Sequence, residues 1–578
     1  CWEPLAILAV QSWRPNTAFF RTAVTGPEGI FRFNYLDPGD YAITIKAPGF
    51  KTYSQTGIRL GAGETRDLGR ITLELGLLTE QVYVTAEATP VQTSSSEGGK
   101  IIDTIQTTNL TSKGRDVLTL LAVIPGVSLG DTSVNGTNAP SSTTLMSLSI
   151  NGTGVSMSTR ESRLNYQVDG ITNLDVGGNW SSTFAPNLET VAEVRVLTTN
   201  YQAEYGRGVG GQIMVVTRGG TSEFHGALWT VKRHEMFNAN SFFNNYNGRP
   251  KDISRYFFFG YRLEGPVAIP KAPEIVRKRM FFMFSNEFTR QRPTTQTSYY
   301  MMPTAAQREG DFSGYADANG RAYPLYDPTT GAPIPGNNIR PLLGIVGNTE
   351  SAKFGQAILN FFPLPNLCNK ASGPVPPPNC INDPDPSQTY RRNYMVSYTG
   401  TNPHRNDTFR LDWNATSKLN LWFRYIHDWD KTTTLIGPEL KNSEGKWAPL
   451  VRQRFYPGTG IAFNSTYTFS STLINQITFG RNYSHLAYWL EDESQLARSA
   501  MGNPPSWNDF ANDPQFLAEK NLRRPGTTNG PQNLGIYVPS VSFGGGQLPN
   551  TVTFNIGENP YFNYYHIYSI NESLSKVW

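Results

Sequence analysis

From residue 221 onward, apolar and polar side chains alternate over long stretches. In DTFRLDWNA, Phe409, Leu411 and Trp413 fall on one face, with Thr408, Arg410, Asp412 and Asn414 on the other. In LNLWFRYIHDW, Leu419, Leu421, Phe423 and Tyr425 oppose Asn420, Arg424 and Asp428; Trp422 and Ile426 break the rule. RYFFFGYRLEG sets Phe257, Phe259, Tyr261 and Leu263 against Arg262 and Glu264. Segments 223–234, 279–290, 456–469, 472–484 and 561–572 alternate less regularly. Together these predict about eight strands. A soluble sandwich alternates too. Strands of about ten residues with aromatic ends, and hairpins at 405–430 and 456–484, favour an antiparallel transmembrane barrel with Phe409, Leu411 and Trp413 toward lipid.

The earlier pattern is different. Residues 22–75 show short strands at 30–35 and 41–46 about an Asp37-Pro38-Gly39-Asp40 turn. GAGETRDLGRITLEL adds a further turn and strand, which predicts a small β-sandwich. Gln81–Thr85 is a short apolar strand leading into a Ser/Thr-rich tether; it reads as a linker, or as a strand offered to a partner's sheet edge. Residues 101–220 predict a mixed α+β unit with a helix at Arg115–Ala122 stopped by Pro125-Gly126, then strands joined by turns, Asp169-Gly170 the clearest. This unit should sit inside the barrel strands, with Tyr205–Gly211 reaching Arg410 or Arg262. Residues 292–403 predict no regular element, and 321–390 holds thirteen of the 40 prolines. So long a loop is expected to be functional or disordered, and to lie outside the cell.

Composition supports this division. At 578 residues the chain exceeds one ordinary core. Its net charge of +4 implies no nucleic-acid partner. Tyr 28, Phe 32 and Trp 11 are many for a soluble enzyme. No apolar run has the length of a membrane helix, and the mean hydropathy is −0.39. Alternating membrane strands would leave no trace in such a scan. Of three cysteines, Cys368 and Cys380 bracket a proline-rich stretch, where a disulfide and two free thiols fit equally well.

Catalytic chemistry finds no foothold. Gly206, Gly208 and Gly211 match G-x-G-x-x-G, but they lead into the β-branched QIMVVTR and no helix follows to receive a pyrophosphate. His234-Glu235 opens like a zinc-protease motif, yet Asn238 stands where the second histidine belongs. There is no G-x-S-x-G elbow, no Cys/His cluster and no nominable carboxylate pair. No catalytic, metal or cofactor-binding residue is expected, and no enzyme activity.

Two resemblances follow from these residues. Gly29, Phe31, Phe33, Leu36, Pro38, Gly39, Tyr41, Pro48, Gly49 and Phe50 resemble the signature of carboxypeptidase regulatory-like (transthyretin-like) domains. That family's first strand is not evident in residues 1–21. Val168-Asp169-Gly170, Glu204-Tyr205-Gly206, Gly210-Gly211, Thr217, Gly220-Thr221 and Glu223-Phe224-His225-Gly226 resemble the end of the plug of TonB-dependent outer-membrane transporters, in the Oar-like branch, running into the first barrel strand. The resemblance implies a carboxypeptidase regulatory-like sandwich at 1–76, a linker at 77–100, a plug at 101–220 and barrel strands over 221–578. It also implies a place in the bacterial outer membrane, contact with outer-membrane lipid, and uptake of an unidentified ligand: an iron chelate, an oligosaccharide or a peptide. TonB would engage a strand within Thr79–Ala86, through Glu80, Val82, Val84 and Thr85.

There are departures. Ile150-Asn151-Gly152 and Thr198-Thr199-Asn200 stand where many such transporters carry I-R-G and R-G-P. Family barrels close with about 22 strands, so eight predict a fragment: an open, curved sheet with free edges at 223–234 and 561–572 that neither inserts stably nor transports alone. The competing readings are a surface carbohydrate-binding or adhesion protein, which would lack a plug, and a soluble β enzyme.

Overall fold

The computed structural model describes residues 9–13, 20–76, 81–85, 96–129, 148–154, 163–176, 181–268, 279–496, 541–542, 553–554 and 561–576, apart from short internal gaps. The N-terminal sheet has five strands: β1 (Ala9–Trp13), β2 (Phe20–Val24), β3 (Gly39–Lys46), β4 (Thr52–Leu60) and β5 (Gln81–Thr85), in the order β2-β1-β3-β4-β5. The family's first strand, not evident from sequence, is present as β1, which pairs antiparallel with β2 and β3. The described residues of the expected strand at 30–35 lack ladder hydrogen bonds, as do those of 66–74. Both segments still supply a second layer. Phe31, Phe33, Leu36, Leu68, Ile71 and Leu73 pack on Tyr41, Ile43, Ile45 and Ile58. Pattern reported which side chains face the core; it did not report backbone pairing.

A second sheet follows. β6 (Gly98–Ile102), β7 (Leu164–Val168), β8 (Ile171–Thr172), β9 (Val191–Thr199) and β10 (Gly211–Thr217) run in the order β8-β7-β10-β9-β6. Ile102, Leu164, Tyr166, Val168, Val194, Val196, Ile213 and Val215 form its buried centre. The helix expected at Arg115–Ala122 is present as a 3₁₀ segment, Val117–Val123. Asp116 caps it by accepting from the Leu118 amide. β-Branched Val117, Thr119 and Val123 disfavour a longer α-helix, and Gly126 at φ 81° ends the segment. Its Val117, Leu118, Leu120 and Leu121 complete the core.

The third sheet is the wall. Its strands are β11 (His225–Arg233), β12 (Arg255–Pro266), β13 (Met280–Arg292), β14 (Asn402–Trp413), β15 (Leu419–Lys441), β16 (Trp447–Phe455), β17 (Gly458–Ser470), β18 (Leu473–Leu490) and β19 (Tyr561–Lys576). Neighbours pair antiparallel throughout. β16 and β17 both pair with β15 and β18, so they form one traverse interrupted at Tyr456-Pro457. Among the described residues, β11 and β19 each have one neighbour, and the sheet is open. Phe257, Phe259, Tyr261 and Leu263 are exposed on its outer face, and Phe409, Leu411 and Trp413 share the partly exposed side of β14. Thr408 and Arg410 are buried on the other side.

The described residues of 292–403 include regular elements, contrary to the sequence expectation. Gln296–Tyr300 pairs with Tyr394–Tyr398, and Glu350–Phe361 is a helix. Met302, Phe361, Phe362, Tyr394 and Val396 pack against Leu440 of β15, Leu450 of β16, Leu490 at the end of β18, and Leu496 just beyond it. Cys368 and Cys380 are joined by a disulfide with Cα atoms 5.1 Å apart. Proline density hid this small core because the positions that carry it lie far apart in sequence.

Candidate functional site

The site lies where the second sheet meets the inner face of the wall. At its centre, Asp169 (φ 49°) and Gly170 (φ 76°) make the two-residue turn between β7 and β8. Left-handed backbone at both positions is what Asp-Gly hairpins supply. The turn pushes the Asp169 carboxylate toward the wall. There it accepts from the Thr217 amide and hydroxyl, both at 2.8 Å, and from Arg424 of β15 at 2.7 Å. Arg424 also donates to the Val168 carbonyl at 3.1 Å and lies over the Phe184 ring. It is fully buried. Arg410 of β14 donates to the Thr217 carbonyl at 2.9 Å and to Asp412 at 2.9 Å, and Asp412 in turn accepts from the Gly220 amide.

Further contacts surround this hub. Asp428 of β15 accepts the Ala185 amide at 2.9 Å, and Asn406 donates to the Ala185 carbonyl at 2.9 Å. Glu287 of β13 accepts from Arg115 at 2.9 Å and from Trp229 at 2.7 Å. Arg262 donates to the Glu189 carbonyl at 2.8 Å. Tyr456 bridges Ser181 at 3.0 Å and the Ser182 carbonyl at 3.1 Å. Charges taken out of water this way hold only when each is paired and hydrogen-bonded. Inside the second sheet, burial pushes the Tyr166 phenol well above its ordinary range, and the neighbouring Asp116 carboxylate adds to the shift.

Shape complements charge. Gly458, Gly460 and Gly480 face inward on β17 and β18, and each gives room to one side-chain or backbone group of the inner unit. A Cβ on Gly460 would lie 2.3 Å from Phe184, and one on Gly480 2.6 Å from Ile171. The wall is therefore moulded to its contents. Ile426 joins the inner unit's apolar core, and Trp422 carries Arg410 over its ring at 4.8 Å. These two breaks in the β15 alternation are inward-facing positions that meet apolar or cationic neighbours instead of water.

The sequence-selected residues divide into groups. Asp169 and Gly170 sit at the hub. Gly206 and Gly210, with Glu204 and Tyr205, lie in the loop before β10, which Gly211 opens, within the inner unit. A Cβ on Gly210 would lie 2.3 Å from Thr153, and one on Gly208 2.7 Å from the Asn165 amide nitrogen. The glycines serve close backbone packing before a strand. The expectation that Tyr205–Gly211 touches Arg410 or Arg262 is corrected: those arginines meet Thr217 and Glu189, because the glycine loop turns back onto β7. Glu204 is exposed, and burial raises the Tyr205 phenol. Val82 and Val84 belong to β5, which pairs parallel with β4 opposite Tyr53 and Gln55. Glu80 lies outside the described residues, and Thr85 ends β5 opposite Thr56. The alternation puts Arg424 and Asp428 on the polar face but gives them no partner, and it does not single out Glu287, Glu189, Asn187 or Asn406. The available signal was a charged or amide residue, or a glycine, at inward positions of long strands.

Comparison with known proteins adds three findings. The model of the outer membrane beta barrel domain matches residues 216–578, and that of the carboxypeptidase regulatory-like domain matches residues 3–74. The TonB-dependent transporter Oar of Myxococcus xanthus is 29% identical over 245 residues, which are 39% of this chain and 20% of that protein. The chain thus matches a fifth of that relative's length. Among solved structures, the outer membrane transporter YddB from Escherichia coli shares 11% identity at a TM-score of 0.40, over 68% of this chain and 40% of that one. The siderophore receptor PirA from Acinetobacter baumannii shares 14% at 0.30, over 68% and 48%.

Proposed function

The chain belongs to the outer membrane beta barrel domain family and resides in the outer membrane, and we propose that it is the plug-bearing part of a TonB-dependent transporter that takes up a ligand and performs no covalent chemistry. In this reading residues 1–76 are a regulatory-like domain, 77–100 the linker, 101–220 the plug and 221–578 wall. The observation that carries it is the fitted inner unit, whose apolar core Ile426 of the wall joins and which sits against inward glycines and buried ions of that wall. A scaffold for adhesion alone has no need of a moulded, charge-latched occupant.

Ligand binding on the external side would then shift the plug between seated and displaced states, with the differential contacts at Asp169 and Ala185 as the element biased. TonB is the energy source in this reading, and β5 is where it would act. The strand's outer edge has no partner among the described residues, and QVYVT carries neither charge nor proline to guard it. A partner strand could add there. The ligand class stays an iron chelate, an oligosaccharide or a peptide. The test uses the full-length protein in detergent with the isolated periplasmic domain of TonB. Val84→Pro should weaken binding at least tenfold, while Val24→Pro on β2 leaves it unchanged. Equal binding by the two variants would contradict the assignment of β5.

A further inference from the structure

We propose that the N-terminal sandwich is a strap that ties the edge strand of the inner unit to the short-turn end of the wall, and that its release frees that edge. The edge strand is β6. Among the described residues it pairs with β9 alone, so its other side has no strand partner. It is also a weak strand, GGKII. A Cβ on Gly98 would collide with the Thr199 hydroxyl, and one on Gly99 with the Val196 carbonyl, so neither position can carry an anchoring side chain. Glycine weakens a strand, and an unpaired edge needs cover.

The sandwich supplies that cover from the end of β4. Ile102 stands opposite Val194 and enters the inner unit's core, so Ile101, one residue earlier, points from the opposite face. There it meets Gly61, the buried residue that follows β4. A Cβ on Gly61 would collide with Ile101 Cδ1, so the glycine is the seat for that side chain. Gly61 is not in left-handed backbone; space, and not φ, selects glycine here. Glu64 accepts from the Gly61 amide at 2.7 Å and fixes the turn that presents the seat. Beside it, Arg59 reaches Asp103 Oδ2 at 3.3 Å. Asp103 Oδ1 caps the helix Thr104–Asn109 by accepting from the Gln106 amide at 2.8 Å. One carboxylate thus serves both units. Arg59 is half exposed, and exposed ion pairs contribute little. Packing of Ile101 into its seat carries the contact, and the pair orients it.

A third contact reaches the wall. Asn34, between β2 and β3, donates from Nδ2 to Ser575 Oγ of β19 at 2.8 Å. Ser575 pairs with Ile474, the second residue of β18 after its tight turn from β17. Short turns of outer-membrane barrels face the periplasm. The sandwich therefore bridges inner unit and wall at the opposite end of the strands from residues 292–403. The start of β4 also holds β5, along Thr52–Thr56, while its end holds β6. With the sandwich released, β6 is left with β9 alone, and a short strand so placed opens locally before the rest of its sheet. The strap rests on contacts between the three sheets and depends neither on TonB nor on a transported ligand.

The test uses the full-length protein, with amide hydrogen exchange read across β6 and, as a check on the sandwich itself, across β3. Gly61→Val fills the seat and should speed exchange across β6 at least tenfold while leaving β3 as in wild type. Should that variant not fold, Arg59→Glu sets like charge against Asp103 from a half-exposed position and should speed exchange across β6 at least threefold. Gly61→Cys with Ile101→Cys should form a disulfide when isolated outer membranes are oxidised. Exchange across β6 within twofold of wild type in both variants, or no disulfide while both cysteines react with maleimide, overturns the proposal.

Discussion

Removing Arg424 tests how the inner unit is held. Its guanidinium is fully buried, 2.7 Å from Asp169 and 3.1 Å from the Val168 carbonyl. Arg424→Met keeps the length and apolar stem but leaves Asp169 with the Thr217 amide and hydroxyl and a distant Arg410 at 3.9 Å. Breaking one partner of a buried pair costs about 3–5 kcal/mol, because the other charge is stranded. Residual contact with Arg410 and water entering the lumen should hold the loss near the lower figure, about 3 kcal/mol. The readout is hydrogen exchange at the Thr217 amide, which reports opening of the Asp169 contact. A loss of about 3 kcal/mol speeds exchange roughly a hundredfold where opening is fast and reversible. Asp169→Asn combined with Arg424→Met should recover part of the loss, since no carboxylate is then left unpaired. Exchange within twofold of wild type in Arg424→Met would refute the reasoning.

Other outcomes follow from neighbouring features. Gly460→Ala should destabilise seating of the inner unit by about 1–3 kcal/mol, because its Cβ would overlap Phe184; Phe184→Ala should relieve that clash, as read by hydrogen exchange across β7 and β8. Replacing Cys368 and Cys380 by Ser should cost the outer loop about 3 kcal/mol, for a closure of sequence separation 12, and bring proteolysis of residues 300–390 forward. At Asp383, burial favours the neutral acid, but hydrogen bonds from Arg392, Asn369 and the Asp385 amide outweigh it and hold the carboxyl below its usual range. Its stabilising share is therefore complete above the unfolded value of about 3.9 and is lost as pH falls through the lower folded value. Acid titration of loop proteolysis should show this dependence, and Asp383→Asn should abolish it.

Much of the wall was legible because a two-residue period on a lipid-facing sheet leaves little freedom. Phe409, Leu411 and Arg410 could be assigned to faces from spacing alone. Asp169-Gly170 was legible as a turn, since few dipeptides adopt left-handed backbone at both positions. Its partners were not, for Arg424 is 255 residues away and nothing local marks it as a contact of the inner unit. The glycines at 206–211 drew notice for a nucleotide pattern, yet their role is contact between backbones, which a pattern does not encode. The outer loop's core joins Met302, Phe361, Tyr394 and Leu490, too far apart for any periodicity to show.

The most direct test of the account is whether residues 101–220 sit inside the wall in the native membrane. Ser181 and Tyr456 meet side chain to side chain at 3.0 Å, one on each unit. With Ser181→Cys and Tyr456→Cys in the full-length protein, a short bismaleimide applied to isolated outer membranes should link the two within one chain at high yield. Failure to link while both cysteines react singly, or links only between chains, would contradict a plug seated against this wall.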